Sequence, residues 1–302
     1  MSTTFSVIIP VFNGESYISH AVESALSQTY DSFEVIIVDD GSTDGTWDIL
    51  SALEHDVRVR IRRQDNRGVS AARNTAMDLA VGKWIAFLDA DDIWHREKLA
   101  RCHTILENMP DSTLLYHGTT LETGAHGMGS GFVVTKTLAE VYAFPYLVTS
   151  SVVVAASLAK AVGFFDESLA TAEDLDFYLK CSTNGTTAHL DLALTQKIGR
   201  ADSLGASIRS VRDNIEVRRR YCSYNPVFCR SQASLIRRVD QNLHISLVRR
   251  LIVDRQLPEA ERVLLDAKDR TGGSPEALGL LVKIRVLAVL MQLGLENRRP
   301  LE

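Results

Sequence analysis

Two periods of apolar residues alternate along the first two hundred positions. FSVIIPV (5–11) is a continuous apolar run of strand length, SYISHAVESALSQTY (16–30) places apolar residues at helical spacing, and FEVIIVDDGS (33–42) is a second strand-like run ending in two carboxylates. The order continues with a helix at 44–54 capped by Thr43 or Asp44, a short strand VRVRIRR (57–63), a helix SAARNTAMDLA (70–80) and a strand WIAFLDADD (84–92). This alternation predicts parallel βαβ units, whose ligands bind outside the carboxyl ends of the strands. Past residue 93 the pattern loosens into a helix at 96–108, a Gly-, Thr- and His-rich stretch at 113–134, a strand at 150–156, helices at 157–162 and 174–184, and a strand at 188–194. From about 203 the chain reads as helices broken at Pro226, Pro258 and TGGSP (271–275).

Composition narrows this to a globular protein: of 302 residues 45% are hydrophobic and 24% charged, with net charge −5, which argues against disorder, a collagen-like fibre or a generally basic nucleic-acid binder. The charge is divided unevenly. Residues 1–208 carry 15 Lys and Arg against 27 Asp and Glu, whereas 209–302 carry 18 against 11. That shift sets the expected domain boundary, with domains at 1–208 and 209–302. The apolar tract 278–295 carries Lys283 and Arg285 at its centre, too costly for a bilayer span. Four cysteines without a CxxC pair, and an N-terminus lacking the features of a secretory signal, predict a cytoplasmic chain with reduced thiols.

Three acidic groups are candidates for chemistry. Asp89 and Asp91 of FLDADD, one residue apart on a strand, would share a face and offer two hard oxygen donors to a divalent cation already holding phosphate. A solvated strand end capping the next helix is the plainer alternative. Asp39 and Asp40 end the second strand, where a carboxylate can accept from a nucleobase N–H or a ribose hydroxyl, although Asp-Gly-Ser-Thr is also ordinary turn chemistry. Glu173 and Asp174 open a helix, where acids serve as caps or as a general base.

The three blocks occur in an informative order. SVIIPVFNGESYISHAVESALSQTYDSFEVIIVDDGSTDGT, NRGVSAARNTAMDLAVGKWIAFLDADD and VGFFDESLATAEDLDFYLK together closely resemble the family 2 glycosyltransferases, inverting enzymes of the GT-A fold, over about residues 4–203. The resemblance implies an α/β fold with a Rossmann-like, mostly parallel sheet flanked by helices, to which this chain adds a C-terminal helical extension. It also implies transfer of a sugar from a nucleotide-diphosphate sugar, with UDP-sugar the usual donor, to an acceptor hydroxyl in polysaccharide or glycoconjugate synthesis.

Residue by residue, the resemblance assigns Pro10, Val11 and Asn13 to the nucleotide pocket, Asp39 to the base, and Asn66, Gly68 and Arg73 to the nucleoside. Asp91 would ligate Mn²⁺ or Mg²⁺, with Asp89 shared between metal and ribose. Asp174 would be the catalytic base and Glu173 its acceptor-side neighbour. Where relatives have His in a Y-R-x-H-x-x-S stretch, this chain reads KIGRADS (197–203), so Arg200 replaces a metal-ligating imidazole with a diphosphate-binding guanidinium. Sugar or lipid-linked glycan acceptors are expected to meet the 113–150 region, where Tyr116, His117, His126, Tyr142 and Tyr146 could stack on sugar rings. The basic helical tail leaves peripheral contact with the inner membrane face, protein contact and oligomerisation open. Two rivals remain: a non-catalytic nucleotide-sugar scaffold acting through that tail, and a sugar-1-phosphate nucleotidyltransferase. The second lacks its expected Gly-rich, basic phosphate loop in FSVIIPVFNGES.

Overall fold

A computed structural model describes residues 4–53, 55–121, 129–143, 147–198, 207–271 and 275–292. The chain divides into two compact units, Met1–Asp202 and Ser203–Glu302.

The first unit is built on strands β1 (Phe5–Val11), β2 (Phe33–Asp39), β3 (Val59–Arg63), β4 (Trp84–Phe87), β5 (Asp92–Trp94), β6 (Ser112–Leu121), β7 (Val133–Lys136), β8 (Val152–Ala155) and β9 (Thr186–Lys197). Its helices are α1 (Ile18–Leu26), α2 (Thr46–Ser51), α3 (Val69–Leu79), α4 (Lys98–Asn108), α5 (Leu138–Ala143), α6 (Ala156–Ala161) and α7 (Glu173–Asn184). The sheet runs β3-β2-β1-β4-β8-β6-β9-β5, with β7 paired to β9. Pairing is parallel across β3-β2-β1-β4 and between β6 and β9, and antiparallel at β4–β8, β6–β8, β5–β9 and β7–β9.

The apolar runs of β1 and β2 follow from burial on both faces, as parallel strands require. Helix α1 turns Ile18, Ala21, Val22 and Ala25 inward from alternate turns. Register then fixes the working edge. Val11 lies opposite Asp39, and Ile8 opposite Phe87, so the acids after β2 and those after β4 emerge on the same side of the sheet.

Four local expectations need correction. The strand carrying FLDADD ends at Phe87, and Asp89–Asp91 form a turn in which Asp92 N donates to Asp89 O at 3.0 Å. The two carboxylates are therefore brought together by a turn, not by the pleat. The 113–134 stretch contains a ten-residue strand, β6, whose polar side chains had masked it: Ser112 and His117 are buried on it. Tyr116, His117 and Tyr142 are core residues rather than sugar platforms, with Tyr116 stacked on His189, and His126 and Tyr146 lie outside the described residues. At α2 the N-cap is Gly45, while Asp44 accepts from Thr46 N at 3.1 Å from one position earlier.

The second unit is helical: α8 (Ile208–Tyr224), α9 (Pro226–Ser231), α10 (Ala233–Val253), α11 (Leu257–Thr271) and α12 (Pro275–Gln292). Its core joins Val211, Leu247, Val248, Leu251, Leu257, Leu264 and Ile284. The expectation of four reduced thiols fails for two of them: Cys222 and Cys229 form a disulfide between α8 and α9, while Cys102 and Cys181 are buried and unpaired. Among the described residues no helix is long and apolar enough to cross a membrane.

Candidate active site

The edge beyond β1 and β2 is organised by backbone donors. Asp39 is fully buried; one carboxyl oxygen accepts from Ser42 N at 3.0 Å and the other lies 3.2 Å from Arg63 Nε. Asp40 accepts from Gly68 N at 2.7 Å, Arg67 N at 3.0 Å and Gln64 Nε2 at 2.7 Å, and so shapes the 64–68 loop that presents Asn66. Gly68 holds φ +92°, a conformation that only glycine adopts without strain, and opens α3. Across the edge, Asn13 at φ +50° accepts from Thr43 N at 2.8 Å, leaving Phe12 exposed beside it. Pro10 and Val11 line the base of this edge from within β1, both buried.

Arg73, on the first turns of α3, is buried and binds two carboxylates from distant segments. Its guanidinium donates to Asp89 Oδ1 at 2.8 Å and to Glu173 Oε1 at 2.8 Å, and lies 5.1 Å from the Phe165 ring centre. The next residue repeats the link: Asn74 exchanges hydrogen bonds with the Phe165 backbone at 2.9 and 3.0 Å and donates to Glu167 at 3.0 Å. One helix thus fastens the Asp89–Asp91 turn to the start of α7.

Helix α7 begins under constraint. Its N-cap is Ala172 in the left-handed region at φ +61°, with no side-chain cap, so Glu173 and Asp174 are helical residues rather than caps. Asp174 Oδ1 accepts from Leu175 N at 2.7 Å. Burial first, and then the neighbouring Glu173 and Asp89 charges, push the Asp174 carboxyl up to about 7, against the pull of Arg73. At the other carboxylate group, burial and the charges of Asp89 and Asp91 push Asp92 up to about 7 as well. Negative charge at this edge exceeds what Arg73 balances. Such an edge can take up a proton, a cation or a cationic group.

Among the described residues no cluster of three His, Cys, Asp or Glu side chains forms a cation cage. Asp89, which already faces Arg73, and Asp91 are the two carboxylates that the turn would offer to a cation. That donor set fits Mg²⁺ or Mn²⁺, which keep several waters and bind through one or two carboxylates plus phosphate oxygens. Arg200 lies outside the described residues.

Sequence reading singled out Asp39, Asp89, Asp91, Glu173 and Asp174, and the fold gathers Asp89, Glu173 and Asp174 around Arg73. It took Asp40 together with Asp39 as an acceptor from base or ribose, or as turn chemistry, and assigned nothing to Asn74 or Glu167. The Asp-Asp pair and the Arg-Asn pair were visible, but their second members act on segments that no local pattern connects to them.

Residues 6–117 match the family described as Glycosyl transferase family 2. Over 95 residues the chain is 45% identical to the UDP-Glc:alpha-D-GlcNAc-diphosphoundecaprenol beta-1,3-glucosyltransferase WfaP of Escherichia coli, covering 32% of this chain and 38% of that protein. Over 98 residues it is 46% identical to the putative teichuronic acid biosynthesis glycosyltransferase TuaG of Bacillus subtilis, covering 32% and 39%. The matched stretches span 16% to 39% of the length of four such curated relatives. Among solved structures, S. aureus TarS 1-349 in complex with UDP-GlcNAc superposes with TM-score 0.61 at 21% identity, over 96% of this chain and 92% of that one. The mannosyltransferase PcManGT of Pyrobaculum calidifontis, in complex with GDP-Man and Mn2+, superposes with TM-score 0.59 at 20% identity, over 98% and 84%. The glycosyl transferase family 2 match thus runs from β1 into β6, and the fold is the GT-A fold of these solved glycosyltransferases.

Proposed function

We propose that this protein is an inverting glycosyltransferase that moves a sugar from a nucleotide-diphosphate sugar, UDP-linked, to an acceptor hydroxyl during polysaccharide or glycoconjugate assembly. The observation that carries the reading is Arg73, which draws the Asp89–Asp91 turn and the Glu173–Asp174 helix start to one edge of the sheet. A leaving-group side and an acceptor side must lie that close for direct displacement. The names of the relatives from E. coli and B. subtilis support the polymer-building context, and the TarS complexes with UDP and UDP-GlcNAc support the donor class.

In this reading the nucleoside rests on the edge built by Pro10, Val11, Asn13, Asp39, Asn66 and Gly68. Asp91 and Asp89 would hold Mn²⁺ or Mg²⁺, which when bound supplies counter-charge for the diphosphate. Arg200 would add a guanidinium to the same phosphates. Glu173 orients the acceptor, and Asp174 takes the proton from its hydroxyl. The freed oxygen bonds to the anomeric carbon from the face opposite the nucleotide while the bond to the diphosphate oxygen breaks, and the nucleoside diphosphate departs. No enzyme-linked sugar forms. A raised Asp174 pKa suits this role, since a base matched to neutral pH transfers protons most efficiently.

Thermal stabilisation by a panel of nucleotide-sugars with Mn²⁺, followed by assay of nucleoside diphosphate release, tests the proposal. UDP-sugars should raise the melting temperature and be turned over. Stabilisation by GDP-sugars alone would move the donor class, and stabilisation by none would overturn the reading.

A further inference from the structure

Behind the Asp89–Asp91 turn lies a buried polar node centred on Ser150, in the 3₁₀ turn Thr149–Ser151 ahead of β8. Ser150 is fully buried, and its hydroxyl works in both directions: it accepts from Asp89 N at 2.9 Å and donates to Asp92 Oδ2 at 2.6 Å. Its carbonyl accepts three more bonds, from Trp94 Nε1 at 2.8 Å, Thr195 Oγ1 at 2.9 Å and Lys98 Nζ at 3.1 Å. Lys98 is itself fully buried, with its ammonium nitrogen 3.3 Å from the centre of the Trp94 ring. A lysine removed from water this completely is costly unless charge and hydrogen bonds compensate it. Burial pushes the Lys98 amine well below the ordinary lysine pKa, a fall that Cys102 and Asp92 oppose only in part; its direct contacts are the Trp94 ring and the Ser150 carbonyl.

We propose that Ser150 is a positioning residue for the donor diphosphate, that it sets the Asp89–Asp91 turn by clamping the turn at both ends, and that Lys98 holds Ser150 in place. The inference rests on the glycosyltransferase reading of the edge. Asp89 N and Asp92 Oδ2 are the two ends of the four-residue turn, so one hydroxyl fixes the closure of the segment that carries Asp91. Thr195 and Ile198 N, the latter 3.4 Å from Asp92 Oδ1, extend the same restraint to the end of β9. Partners of this kind orient ligating groups without touching the ligand themselves.

The neighbouring serine supplies the control. Ser151 is equally buried, but its hydroxyl donates to Val148 O at 2.7 Å rather than to the Asp89–Asp92 turn. UDP affinity with Mn²⁺, measured by calorimetry beside melting temperature, should fall about tenfold in Ser150→Ala and be unchanged in Ser151→Ala, although both lose a buried hydroxyl. Lys98→Met, which fills the same space without a donor, should weaken UDP binding in the same direction as Ser150→Ala. Equal UDP affinity in Ser150→Ala and Ser151→Ala would overturn the positioning role while leaving the glycosyltransferase reading intact. Wild-type protein that binds neither UDP nor GDP would overturn that reading and the inference together.

Discussion

Two groups of acids emerge at the same sheet edge, and the fold uses them in opposite ways. Asp39 and Asp40 after β2 are held by local donors, Ser42 N for one Asp39 oxygen and Gly68 N, Arg67 N and Gln64 Nε2 for Asp40, while the other Asp39 oxygen is buried 3.2 Å from Arg63 Nε without a hydrogen bond among the described residues. Asp89 and Glu173 share a single guanidinium, and burial, reinforced by the charges of Asp89 and Glu173 respectively, raises Asp92 and Asp174 to about 7. The first group builds a shape. The second leaves a charge that only a proton, a cation or a reacting group relieves. The same side chain thus serves as mortar or as reagent according to how many donors the surrounding backbone turns towards it.

The contrast is sharpest at the far end of the second group. Asp174→Asn keeps the shape of the side chain and removes the proton acceptor, so the rate of transfer should fall by about two to four orders of magnitude with donor affinity held. Normal transfer at normal melting temperature would reduce Asp174 to a first-turn acid. Next in size is Arg73→Met, which strands Asp89 and Glu173 without their common partner and should cost about 3–5 kcal/mol in chemical denaturation. Arg67→Met removes an exposed pair with Glu167 and should cost less than about 1 kcal/mol; comparable losses for the two would mean that the Arg73 triad is an ordinary surface contact.

On the shape-building side, Asp40→Asn turns an amide N–H towards donors that need an acceptor. It should cost about 1–3 kcal/mol and weaken UDP binding through the 64–68 loop, without altering the rate at saturating donor. Asp91→Asn is expected to weaken UDP binding about tenfold with Mn²⁺ and to leave it unchanged in EDTA. Equal loss with and without the metal would transfer Asp91 to the shape-building class.

What the sequence could disclose follows from what each element buries. β1 and β2 are apolar at every position because both faces are covered, and that run is readable without a structure. β6 is just as central, yet it carries Ser112, His117 and three threonines, with Ser112 Oγ, His117 Nε2 and Thr120 Oγ1 buried without a hydrogen-bond partner among the described residues, so no continuous apolar run marks it. Motif residues were legible as types at a spacing. Their contacts were not: Arg73 and Glu173 are separated by a hundred positions, and the Ser150 carbonyl collects donors from Trp94, Lys98 and Thr195 that no periodicity links. The Cys222–Cys229 bond was hidden for a similar reason, since it depends on the bend between α8 and α9 rather than on a recognised spacing.

The pH dependence of transfer by the wild-type protein, with UDP affinity followed at each pH, tests the central claim most directly. A buried carboxyl raised to about 7 is protonated below that pH and unable to accept the acceptor's proton, so the rate should rise about tenfold per pH unit up to about 7 and level off above it. The same shift has a sign for stability: the folded protein favours the protonated acid, so stability declines as pH rises from the ordinary carboxylate range through 7, and Asp174→Asn should abolish that part of the decline. The account predicts a rate inflection near 7 in the wild type, with UDP affinity flat across it. A rate that is level from pH 5 to 9, or that breaks near the ordinary carboxylate value of about 4, would contradict the assignment of Asp174 as the base.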